Sequence, residues 1–145
     1  MGYAVKDVDF GRGTRWPSVS CALYRDGRRV ARFNDAGNGG RGVFSDWSSP
    51  EEQAAFADFM KRQPYLQENQ FVWEEEMVMA ELLEEWEIQI EAKTKTLFKI
   101  PGHEYKEGYW ASMSSPYSAE QRASIIERFG DGCQFRAEIP SVLVE

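Results

Sequence analysis

The sequence is short of the residues from which most catalytic and metal centres are built. Its 145 residues hold one histidine, His103, and two cysteines, Cys21 and Cys133, which lie far apart and form no CxxC. That usage argues against a disulfide scaffold and against a zinc site of the usual Cys/His spacing. It suits a reducing compartment, so a cytoplasmic location is expected. No apolar run approaches the length of a membrane span, and Met1–Asp7 lacks the apolar core of a secretory signal. Lys6 stands where a lipidation motif wants Ser or Thr. No phosphate loop with its Gly-Lys-Ser/Thr is present, and no internal repeat or linker divides the chain, so one domain over residues 1–145 is expected.

What is present is a core-forming composition and an uneven charge. Apolar residues make up 42% of the chain, more than a disordered sequence carries. The net charge of −7 is concentrated in one place: residues 1–47 balance to +3, residues 48–92 to −10 and residues 93–145 to zero. A direct grip on nucleic acid needs cations against phosphates, so that class of partner is disfavoured. An acidic face suits a basic protein or simple solubility.

The pattern along the chain predicts an α+β fold: an antiparallel sheet of five to seven short strands packed with three helices, the middle helix long and acidic. Strands are expected at Tyr3–Asp9, Ser18–Tyr24, Arg28–Phe33 and Val43–Trp47. Arg25-Asp26-Gly27 reads as a hairpin turn. A three-residue loop there would set Val19 opposite Phe33 and Cys21 opposite Ala31, giving one apolar face, and this register is preferred to the two-residue one. Ser49, Pro50 and Glu52 signal the start of a first helix, which Pro64 would end. A second helix from Asn69 or Gln70 to Glu91 puts Val72, Met79, Leu83, Trp86 and Ile90 on one side. Further strands fall at Thr94–Ile100 and Tyr109–Met113. Ser118 and Gln121 cap a third helix that Gly130 stops, and Phe135–Ile139 reads as a last strand.

No catalytic residue, metal ligand or cofactor site can be nominated. His103 lies in a polar loop near Glu104 and Glu107 with no recognisable ligand spacing, and both cysteines read as structural. The glycine-rich stretch Gly37–Gly42 contains Arg41, and its backbone N–H groups could cradle an anion, although it leads into a strand. This supports a second hypothesis, a small nucleotide- or phosphate-binding domain or enzyme. Glu75 is an odd acid near the apolar arc of the second helix; it either reaches water from the first turn or pairs with Arg29 or Arg32.

The second helix supplies the leading hypothesis. Trp73, Met77 and Ile88 lie among glutamates on its polar side, and Trp and Met are enriched in interface cores. The expected partner-binding residues are Trp73, Glu74, Met77, Glu81, Glu84, Glu85 and Ile88. The expected partner is a basic protein or protein–nucleic-acid complex, with no direct nucleic-acid contact. A homodimer through the same apolar residues is a third reading.

The runs Tyr24-Arg25-Asp26-Gly27-Arg28-Arg29-Val30, Asn34-Asp35 and Gly39-Gly40, with Thr96–Ile100, Gly108-Tyr109, Pro116-Tyr117 and Arg128–Asp131, give a resemblance. Over about two thirds of its length the chain resembles small accessory proteins of bacteriophages and mobile elements, anti-CRISPR proteins among them. The resemblance implies a non-enzymatic, phage-encoded inhibitor in the host cytoplasm that blocks a basic nucleic-acid-binding complex such as a CRISPR effector.

Overall fold

The computed structural model describes residues 2–63, 74–106, 108–140 and Leu143. Among them are seven strands and three α-helices, an α+β fold. The strands form two antiparallel sheets rather than one, of four and three strands. The chain divides into two compact units, Met1–Trp86 with Val142–Glu145, and Glu87–Ser141.

The first unit is built on a meander in the order β1 (Tyr3–Arg12), β2 (Pro17–Arg25), β3 (Arg28–Asp35) and β4 (Val43–Ser45). Short connections between consecutive strands impose this neighbour-to-neighbour order. The β2–β3 turn has two residues, with Arg25 opposite Arg28 and positive φ at both Asp26 and Gly27. Two such residues make the turn whose twist matches the strands it joins. The expected three-residue register is therefore corrected. Beyond the turn a bulge leaves Val30 as the extra residue, after which Leu23 faces Ala31, Cys21 faces Phe33 and Val19 faces Asp35. The bulge does what the longer loop was expected to do, because it returns Cys21, Leu23, Ala31 and Phe33 to one buried face. A second irregularity interrupts β1 between Lys6 and Asp9, where Asp7 adopts a positive φ.

Helix α1 (Pro50–Lys61) starts as its sequence predicts: the Ser49 hydroxyl accepts the Glu52 N–H at 3.1 Å. Its buried Phe56 and Phe59 pack with Tyr3, Phe44 and Trp47 in an aromatic cluster, the Tyr3 and Phe56 rings meeting edge-on with centroids 4.8 Å apart. Helix α2 (Glu74–Ala92) starts in the first unit and buries Val78, Met79 and Leu82, with Leu83 and Trp86 partly buried beside them. At about 100° per residue these five occupy one arc. Ile90 lies on the same side but is 44% exposed, because it stands a turn past Trp86, the last α2 residue packed on this core. The expected helix start, Phe71, Val72 and the Pro64 stop lie outside the described residues.

The second unit has β5 (Thr96–Lys99) at the centre of its sheet, flanked by β6 (Ala111–Met113) and β7 (Gln134–Phe135). The expected last strand shortens, because Arg136–Glu138 turns into a 3-10 helix. Helix α3 (Ala119–Phe129) has the predicted cap, Ser118 accepting the Gln121 N–H at 3.0 Å, and ends at Gly130 with positive φ. Ile125 joins Phe98 and Phe135 in the core of this unit. On its surface Glu138 accepts hydrogen bonds from Arg122 Nε at 2.7 Å and from the Tyr117 hydroxyl. These two bonds hold the Glu138 carboxyl below the usual carboxylate range.

The cysteines differ in reactivity for a physical reason. Burial pushes the Cys21 thiol up to about 11, only partly offset by the charge of Arg32, and the residue has no exposed surface. Cys133 is half-buried and its thiol is raised less. Since the thiolate is the nucleophile, a neutral-pH alkylating reagent should label Cys133 first and reach Cys21 only on unfolding. Equal labelling of both in the native state, followed by mass spectrometry, would contradict this placement of Cys21.

Candidate functional site

Two features can meet another molecule: the acidic surface of α2 and a groove on the four-stranded sheet. Over its 19 residues α2 carries eight glutamates and no Lys or Arg. Glu74 and Glu84 are exposed, whereas Glu81 and Glu85 are half-buried and have interaction partners of their own. Helical geometry places Glu74, Met77, Glu81, Glu84 and Glu85 on neighbouring rows, away from Met79 and Leu82. Met77 is half-buried and belongs to neither hydrophobic cluster of described residues. Ile88 is also half-buried and falls in the second unit. Trp73 lies outside the described residues.

The acidity of this helix works against its own stability. Glu87 and Glu91, both exposed, are like charges four residues apart, a pair costing about 0.2–0.5 kcal/mol. The last turn carries no base to offset the negative end of the helix dipole. Only Glu74, Glu75 and Glu76, in the first turn, are placed where the dipole favours them.

Glu75 bonds to Arg41 of the glycine-rich loop, not to Arg29 or Arg32. Arg32 instead donates to the Ser20 hydroxyl at 2.9 Å. The Glu75 side chain retains 17% exposure, and its second oxygen is buried with no hydrogen-bond partner. Arg41 lies at the β3–β4 connection, and the ion pair fastens that loop to the first turn of α2.

The loop itself is held by backbone contacts. The Gly37 carbonyl accepts the N–H groups of Arg15 and Trp16, at 2.8 and 2.9 Å, so the β1–β2 connection docks on it. Gly37 has φ +69, and a Cβ there would lie 2.2 Å from the Trp16 carbonyl oxygen. Asp35 and Asn38 brace the turn by accepting the N–H groups of Gly37 and Gly40, both at 2.9 Å.

Beside this loop the sheet holds a groove of about 570 Å³. One row of facing residues, Asp9, Ser20, Asn34 and Val43, crosses all four strands and lines it. Gly11 and Ser18 form the next row and keep the floor low. Asp35, Asn38 and Arg41 complete its walls. Sequence reasoning singled out only the loop and Arg41. The outward positions of Ser18, Ser20 and Asn34 could have been read from strand alternation, but the row they form needs the register.

His103 and Glu104 are exposed in the second unit, and Glu107 lies outside the described residues. Among the described residues no group of three or more His, Cys, Asp or Glu side chains converges as a metal ion would need. No described helix is long and apolar enough to cross a membrane.

Comparison of the chain with protein-family models, curated proteins and solved structures finds no match.

Proposed function

We propose that this chain is a non-enzymatic acidic binding protein whose helix α2 docks on the cationic surface of a nucleic-acid-binding partner and excludes nucleic acid from it. The observation that carries this reading is the composition of α2: eight glutamates with no base, Glu74 and Glu84 exposed. A surface that repels itself gains when a partner brings cations to it, and the gain is set by complementarity of potential. The cations engaged are those that would otherwise meet phosphates, so the helix and a nucleic acid compete for one surface. A CRISPR effector is a partner of this kind, in keeping with the resemblance noted in the sequence.

The nucleotide- or phosphate-binding alternative has less support. Arg41, the cation of the glycine-rich loop, already faces Glu75, and Asp9 and Asp35 line the groove beside it. An anion binding there would compete with Glu75 for Arg41.

The test is displacement of labelled nucleic acid from purified basic nucleic-acid-binding proteins, CRISPR effectors included. The chain should displace the label from its partner, less effectively as salt rises. Glu74→Gln with Glu84→Lys should weaken displacement about tenfold or more. Displacement indifferent to both salt and these substitutions counts against the proposal, as does a chain that displaces nothing.

A further inference from the structure

We infer that the β1–β2 connection is a binding site for single-stranded nucleic acid, a role separate from the one proposed for α2. The connection encloses a shallow depression of about 360 Å³, lined by residues 11–17. Three of its side chains set the chemistry. Arg12 and Arg15 are exposed and make no ion pair among the described residues. Trp16 is 63% exposed beside them. No acid lines the depression, so its ligand is anionic. The net charge of −7 opposes a broad electrostatic grip, but a charge acts over only about 8–10 Å at physiological salt. The acids are concentrated in residues 48–92, whereas residues 1–47 balance to +3.

The side chains select among anions. A guanidinium is a planar fork that matches the oxygens of a phosphate, and two of them suit two phosphates of one strand. The indole offers a flat face on which a base stacks, and any base will serve because each has a π-face. A duplex keeps its base faces within its own stack, so the tryptophan favours an unpaired strand. A phosphorylated side chain would use the arginines and leave the indole without a partner. A membrane surface would need a larger apolar area, since stable attachment takes more than one weak anchor, and only Trp16 and Pro17 here are apolar.

The backbone that carries these side chains is already fixed. The Arg15 and Trp16 N–H groups both donate to the Gly37 carbonyl. Gly13 is packed so closely that a Cβ there would stand 2.1 Å from the Trp16 carbonyl oxygen and 2.6 Å from that of Gly37. The Arg15 side chain lies against Gly39, where an added Cβ would stand 3.1 Å from Nη1. Little ordering of the loop remains to oppose binding, which is how a shallow site with few contacts can hold a ligand.

The full chain should be titrated into a fluorescently labelled oligothymidylate of about ten nucleotides and followed by anisotropy. Affinity should fall with salt at a logarithmic slope of about −1.4, two phosphates at about −0.7 each. Arg12→Gln with Arg15→Gln should weaken binding about tenfold or more and flatten that slope. Trp16→Ala should weaken it about tenfold and leave the slope unchanged, and Trp16→Phe, which keeps an aromatic face, should restore most of the loss. Arg28→Gln with Arg29→Gln, the same charge change at the β2–β3 turn, should alter affinity less than about twofold. Failure to bind the strand, equal losses in the two double variants, or a duplex bound as tightly would overturn the inference. So would thymidine monophosphate binding as tightly as the strand, which would make the ligand a free nucleotide, or capture by anionic phospholipid vesicles in place of the strand. The displacement assay separates the two proposals. Displacement that survives Arg12→Gln with Arg15→Gln, from a chain that binds no free strand, sinks this site alone. Displacement lost in that variant but untouched by Glu74→Gln with Glu84→Lys means that the chain sequesters the nucleic acid itself, which sinks the helix reading and leaves this site standing.

Discussion

Phe56→Ala should lower the stability of the first unit by about 3–5 kcal/mol, a large share of the roughly 5–15 kcal/mol that a domain has to lose. Phe56 is the contact through which α1 is seated on the sheet. Its ring is 1% exposed and meets Tyr3, Phe44, Trp47 and Phe59 at centroid distances of 4.8 to 5.9 Å. Truncation removes the transfer energy of the ring and leaves a void among side chains that belong to three separate elements, so collapse can fill it only in part. Urea unfolding followed by far-UV circular dichroism measures the loss. A loss below about 1 kcal/mol would mean that α1 does not sit on this sheet as described. An exposed apolar residue of the same unit gives the contrast: Val43→Ala, at 60% exposure, should fall within about 0.5 kcal/mol of the parent.

Gly37→Ala should cost about 2–5 kcal/mol, although it adds a single methyl group. Two terms contribute. The positive φ of Gly37 costs an L-residue about 1–2 kcal/mol. The added Cβ would also stand 2.2 Å from the Trp16 carbonyl oxygen and 2.9 Å from the Pro17 carbonyl carbon, backbone atoms where the docked β1–β2 connection enters β2. Backbone cannot rotate away as a side chain can, so the loops must separate, at the roughly 1–3 kcal/mol typical of overpacking. The two N–H bonds from Arg15 and Trp16 to Gly37 then weaken with them. Gly27→Ala isolates the first term: its φ is +83, and nothing lies within 4 Å of the Cβ that would be added. The difference between the two substitutions in denaturant unfolding is the steric part. If Gly37→Ala proves no worse than Gly27→Ala, the two loops are not packed on one another.

The two substitutions probe different kinds of information. Phe56 was recognisable in advance, since it stands with Phe59 and Met60 on the apolar stripe of a helix with a clear cap. The importance of Gly37 was not, since nothing near it in sequence hints that residues 13–16 would rest against it. The glycine-rich stretch was singled out for its backbone N–H groups; that two backbones touch there appears only in the fold.

Local chemistry accounts for what the sequence determined by itself. Ser49 and Ser118 fix helix starts because a hydroxyl must satisfy an N–H three residues on, and both do. Asp26-Gly27 fixes a hairpin, and glutamates without bases make α2 acidic wherever it packs. These rules act within about four residues, which is why the α+β class could be read directly. Tertiary structure decided what depends on distant partners. The bulge at Val30 set the strand register, because only burial of the whole apolar face could choose between registers that preserve alternation. Arg41, rather than Arg29 or Arg32, met Glu75, because the folded loop and not sequence distance brought it there. Asp9, Ser20 and Asn34 became one wall of a groove by the same cause: strand pairing aligns residues that the chain itself keeps far apart.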